Sequence, residues 1–139
     1  MTTEKYLLQA IRCERMIRNK FGEIARYKDL VTSVSVSTEG ERVQSSGSKD
    51  KIGEFASRIV DMQNEIEALA NKRDTIISQI EAMDSPNHYQ VLYSKYVDGK
   101  NLYEVKDIIE CSKTQIYRIH EQALEEFEKK YGKKYLKIK

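Results

Sequence analysis

The stretch Asn101–Leu124, NLYEVKDIIECSKTQIYRIHEQAL, decides how this chain reads. Its apolar residues predict a short helix from about Leu102 to Ile109, a turn centred on Glu110 and Cys111, and a second helix opening at Ser112. Two start signals set that register. Asn101 is followed three residues later by Glu104, and Ser112 three residues later by Gln115. Each pair can satisfy free amide hydrogens at a helix start reciprocally, as a capping box does. Ile116, Ile119, Ala123 and Leu124 would pack onto Leu102, Val105 and Ile109. That leaves Ser112, Lys113, Thr114, Gln115, Tyr117 and Arg118 near the start of the second helix as candidate DNA-binding residues. Arg can bridge guanine O6 and N7, Gln can pair with adenine N6 and N7, and Lys suits phosphate or guanine. The layout is that of a helix-turn-helix, which puts its second helix into the major groove of duplex DNA.

Upstream, Ser85-Pro86 marks a helix start, because serine caps well and proline lacks an amide hydrogen that would go unpaired there. That helix runs to about Val97 and sets Tyr89, Leu92, Tyr93 and Tyr96 largely on one face. Gly99 of Asp98-Gly99-Lys100 closes it. Downstream, KKYGKKYLKIK holds six lysines and no acid. Tyr131 and Tyr135 among those lysines read either as extra phosphate contacts or as part of a disordered basic tail. Residues 51–85 carry four basic and seven acidic side chains, and residues 86–139 eleven and eight. The positive excess thus lies in the half with the candidate reading helix, as phosphate binding requires.

Farther upstream, Ile52, Phe55, Ile59, Met62, Ile66, Leu69, Arg73, Ile76, Ile80 and Met83 alternate spacings of three and four, a heptad seam no strand can produce. Leu7, Leu8, Ile11, Ile17, Phe21, Ile24, Leu30 and Val31 recur less regularly and supply a partner helix. The fold expected is all-α: a long antiparallel, coiled-coil-like helical hairpin over residues 1–84, then a three-helix helix-turn-helix module with a basic tail over 85–139. Residues 35–50 (SVSTEGERVQSSGSKD) read as a flexible loop, with a short strand over VTSVSVS as the alternative. Arg73 on the seam either fixes register and oligomer state or snorkels out. Two helices alone make a thin core, so a homodimer through the hairpin is expected.

The segment PNHYQVLYSKYVDGKNLYEVKDIIECSKTQIYRIHEQALEEFEKKY resembles the fourth conserved region of bacterial sigma factors, with its DG turn, L-x-E-V first helix and Ser-initiated recognition helix. The whole chain resembles small phage and prophage regulators of the ArpU and RinA late-gene activator type, in which a helical half with an RVQSSGSKDK-like segment (here Arg42 to Lys51) precedes the sigma-like module. The resemblance implies a regulator of phage genes that reads promoter DNA with Lys113, Thr114, Gln115, Tyr117 and Arg118, and host RNA polymerase as a possible partner. Lys106 departs from the pattern where Ala or Gly packs between the helices, and Glu110 where a turn glycine is common. An oligomeric, small-terminase-like DNA-packaging subunit or a polymerase-docking protein is the alternative.

Other chemistry is thin. No nucleotide-binding glycine motif or nucleophile–base pairing occurs, so neither enzyme activity nor a cofactor is expected. Cys13 and Cys111 stand apart from each other and from His88 and His120, and indicate no metal site. They read as reduced, partly buried thiols, His120 as surface-exposed, and Glu125, Glu126 and Glu128 as a solvated face. No apolar run approaches the ~18 residues a membrane span needs. A cytoplasmic location in a bacterial host, away from membranes, is expected.

Overall fold

A computed structural model describes residues 1–39 and 46–136, without the side chains of residues 34–39, 46–49 and 136. The described residues are helical, with no strand: α1 (Thr3–Glu39), α2 (Ser46–Glu81), α3 (Pro86–Tyr96), α4 (Leu102–Ile108) and α5 (Lys113–Tyr131), then a π-helical turn over Gly132–Leu136. The all-α fold expected is the fold found. No helix among the described residues is long and apolar enough to cross a membrane.

The stretch expected as a loop or short strand is corrected, because α1 runs to Glu39 and α2 starts at Ser46. Valine and serine weaken a helix by only tenths of a kcal/mol each, so VTSVSVS extends a helix already formed. Residues 40–45 lie outside the described residues, and with them the first four residues, 42–45, of the distinctive Arg42–Lys51 segment.

The chain divides into two compact units, Met1–Glu14 with Asn71–Lys139, and Arg15–Ala70. The sequence places its boundary at residue 84, whereas these units meet at 14/15 and 70/71. The reason is the core of the first unit. It joins Tyr6, Leu7 and Ala10 of α1, Ile76 and Ile80 of α2 and Met83 just beyond it to Leu92 and Tyr96 of α3 and Ala123, Leu124 and Phe127 of α5. The ends of α1 and α2 run antiparallel here. The Tyr6 hydroxyl donates to Gln79 Oε1 at 2.6 Å, and Arg73 lies 3.9 Å from Glu14. Arg73 thus reaches from the seam to a rim carboxylate, with its side chain 27% exposed. Burying Phe127 fully makes it a residue whose truncation would cost about 3–5 kcal/mol.

In the second unit α1 and α2 are again antiparallel, held by Lys20–Glu65 and by Tyr27 against Phe55 with ring centroids 5.6 Å apart. The α2 positions read as a seam from sequence are each buried or half-buried. The α1 assignment needs correcting. Leu8, Phe21 and Leu30 are exposed, and the inward positions are Ala10, Cys13, Ile17, Lys20, Ile24, Tyr27 and Val31. Those spacings are as regular as on α2, but a lysine, a tyrosine and two small residues break the apolar pattern.

Candidate nucleic-acid interface

Each helix of the candidate site starts and stops on identifiable chemistry. Ser85 caps α3 by accepting from the His88 amide, with Pro86 in the first turn. At its other end Gly99 has φ +75°, open to glycine without strain, and the Lys100 amide reaches the Ser94 carbonyl at 3.0 Å. Both capping boxes form. Asn101 Oδ1 accepts from the Glu104 amide at 2.9 Å and Glu104 Oε1 from the Asn101 amide at 3.3 Å. Ser112 Oγ accepts from the Gln115 amide and Gln115 Oε1 from the Ser112 amide, each at 3.1 Å.

Between them Glu110 takes a left-handed conformation, φ 55°, and the Cys111 amide bonds the Lys106 carbonyl at 2.9 Å. This is the six-to-one bond of a Schellman ending, with Glu110 at the place glycine usually holds. The turn therefore keeps its geometry without glycine at a cost of about 1 kcal/mol. Lys106 snorkels. Its side chain is mostly covered, while its ammonium bonds Asp107 Oδ1 at 3.0 Å and sits 4.4 Å from the centroid of the Tyr103 ring. The Asp107 hydrogen bond pushes the Lys106 ammonium up from its ordinary range.

Val91, Leu102, Val105 and Ile116 form a second core, with Ile109, Cys111 and Ile119 against it. Ala123 and Leu124, expected to pack there, belong instead to the core shared with α1 and α2. With Ile116 fully buried, Lys113, Thr114, Gln115, Tyr117 and Arg118 are all exposed on the first turns of α5, and Ser112 is the exposed N-cap. The structure brings the six candidates together, but not as six equivalent readers. Gln115 Oε1 already holds the Ser112 amide, so pairing with adenine would compete with the cap.

Several polar residues behave otherwise than expected. His120 is buried, and its Nε2 shares a 2.8 Å hydrogen bond with the Tyr96 hydroxyl. Burial, and then the Lys95 charge, hold its imidazole below the usual histidine range, while burial pushes the Tyr96 hydroxyl up. The surface exposure expected of His120 is thus corrected. Its spacing of four from Ile116 and three from Ala123 is the signal that places it inward. Glu126 is no solvated face either. It accepts from the Asp84 amide at 2.9 Å and pairs with His88 Nδ1 at 2.7 Å. Burial pushes its carboxyl up, but these partners outweigh it and hold it below the ordinary range.

The tail tyrosines differ, Tyr131 being half-buried and Tyr135 37% exposed. Tyr131 lies 4.8 Å from Phe127 and Tyr135 6.4 Å from Tyr6, centroid to centroid. Both lie in helical backbone and not in a disordered tail, and residues 137–139 lie outside the described residues. Cys13 and Cys111 are free thiols, buried and half-buried. No group of three potential metal ligands occurs among the described residues.

Fold and site together define an all-α protein in which α3, α4 and α5 pack with the ends of two long helices. The chain belongs to the family described as protein of unknown function DUF1492, whose model matches residues 30–128. No curated protein and no solved structure matches it.

Proposed function

We propose that α5 enters the major groove of double-stranded DNA and that the protein is a non-enzymatic transcriptional regulator of phage or prophage genes, acting in the bacterial cytoplasm. The observation that carries this reading is the pair of formed capping boxes around the Glu110 turn. They fix α4 and α5 in helix-turn-helix register and leave Lys113, Thr114, Tyr117 and Arg118 exposed on the leading turns of α5. Unpaired amides and the positive end of the helix dipole at that start favour a phosphate nearby. Arg118 and Lys113 supply the cationic contacts, and Tyr117 an apolar one. The phage assignment rests on the whole-chain resemblance to ArpU- and RinA-type regulators, and a docking role toward host RNA polymerase on the sigma-like segment.

The test is selection of bound duplexes from sheared host and prophage DNA, followed by titration of the winning sequence. Lys113→Ala, Tyr117→Ala and Arg118→Ala combined should abolish specific binding while the far-UV dichroism stays that of the parent. The two lost cations should reduce the salt dependence by about two phosphate contacts. A triple variant that binds the selected duplex as the parent does would sink the assignment. Binding to polymerase with no preference among duplexes would move the function to protein docking.

A further inference from the structure

In the unit Arg15–Ala70 the seam between α1 and α2 is open. Among its described residues only Ile24 and Met62 are buried apolar side chains, while Tyr27, Phe55, Ile59 and Ile66 stay half-buried. A groove lined by Met16, Asn19, Lys20, Glu23, Arg58 and Met62 adjoins a second one through Arg58, which also borders Tyr27, Glu54, Phe55, Ser57 and Asp61. Met16 and Leu30, seven residues on either side of Glu23, are 41% and 46% exposed. A pair of helices that leaves this much apolar surface wet requires a further layer.

We propose that the layer is the same face of a second copy, related by a two-fold axis that runs along the helices, so that α1 of each copy lies antiparallel over α2 of the other. Charge selects this occupant. Residues 15–33 of α1 carry five basic and two acidic side chains, and residues 50–70 of α2 carry two basic and five acidic. The unit is therefore neutral as a whole, so it offers no net attraction to nucleic acid. It is nonetheless polar across its width, positive on one helix and negative on the other. An occupant that matches it needs one acidic and one basic helix of similar length, each with an apolar seam. This chain supplies that set, and a two-fold interface is self-complementary by construction.

The heptad stripes give the pairing. On α1 the stripe is Met16, Glu23 and Leu30, and on α2 it is Lys51, Arg58 and Glu65. Set antiparallel across the two-fold, Glu23 of one copy faces Arg58 of the other, and the exposed Met16 and Leu30 lie against the aliphatic stems of Glu65 and Lys51. Arg58 is available for this, since it makes no ion pair within the described residues. Among the described residues Glu23 pairs with Arg26, three residues along its own helix.

The test is sedimentation equilibrium on the full chain across the micromolar range. The parent should weigh twice the 16.2 kDa chain. Glu23→Lys and Arg58→Glu should each raise the dissociation constant about tenfold or more, because each creates two like-charge contacts per dimer. An equimolar mixture of the two variants should recover parental affinity, since in the mixed dimer both contacts become complementary again. Met16→Asp, which sets a carboxylate against Glu65, should weaken self-association independently, and dichroism confirms that each variant keeps its helices. A monomeric parent, a larger ring, or a mixture no tighter than its components overturns the proposal. These outcomes do not depend on whether α5 reads DNA.

Discussion

Replacing Ser112 with alanine should lower the stability of the first unit by about 1 kcal/mol, and replacing Gln115 with alanine by about half as much. The difference follows from the box itself. Ser112 Oγ accepts from the Gln115 amide, and losing a serine N-cap typically costs ~1 kcal/mol. Gln115→Ala loses the reciprocal bond to the Ser112 amide, but alanine is the better helix former by a few tenths of a kcal/mol. Gln115→Glu should instead be neutral to stabilising by up to ~0.5 kcal/mol, because the carboxylate keeps the acceptor and sits at the positive end of α5.

Urea unfolding followed by far-UV dichroism at neutral pH, with equal slopes demanded of all variants, measures these differences. The same proteins then report on DNA. If Gln115 stays on the cap in the complex, Gln115→Ala weakens binding evenly over all duplexes. If it leaves the cap to read adenine, specificity relaxes at one base pair by about 1–3 kcal/mol. Gln115→Ala proving costlier to stability than Ser112→Ala would refute the capping argument.

Two further outcomes are expected. Glu110→Gly should stabilise the protein by about 0.5 kcal/mol, because relief of a left-handed glutamate exceeds the extra entropy of glycine in the unfolded chain; a loss in thermal or urea midpoint would contradict it. Stability should also fall on acidification in two windows. His120 is held below its ordinary value of 6.5, so the unfolded chain binds the extra proton first and stability is lost as pH drops below that value. Glu126 is likewise held below its ordinary range, so its contribution is present above the unfolded carboxylate value and lost as pH falls through the lower folded one. A urea midpoint that stays flat as pH falls from neutral through both windows would argue against both, and His120→Gln should remove the upper window only.

Much of this architecture is legible in the sequence where one physical signal acts alone. On α2 the inward positions are apolar apart from Arg73, so periodicity finds them. On α1 the inward set includes Lys20, whose stem can lie in the seam while its ammonium meets Glu65, and Tyr27, which packs on Phe55. Reading hydrophobicity there selects Leu8, Phe21 and Leu30, which the pairing leaves outside. The caps were visible because serine and asparagine followed at three by Gln or Glu form a local code that tertiary packing did not override. His120 and Glu126 were not, since their partners Tyr96, His88 and Asp84 lie 24 to 42 residues away. The approach of Tyr135 to Tyr6 and of the Tyr131 hydroxyl to the Gln79 carbonyl are contacts that no local window contains.

The core that unites Tyr6, Leu7 and Ala10 with Phe127 has a consequence for how the molecule comes into being. During synthesis Tyr6, Leu7 and Ala10 of α1 stay incompletely covered until α5 is made, because their core contacts with Phe127 span most of the chain. Closing such distant contacts is slow and leaves apolar surface open in the interval. Nor can α3–α5 be lifted out as a cassette, since a fragment starting at Ser85 would lack six of the twelve buried side chains in the core that holds Phe127.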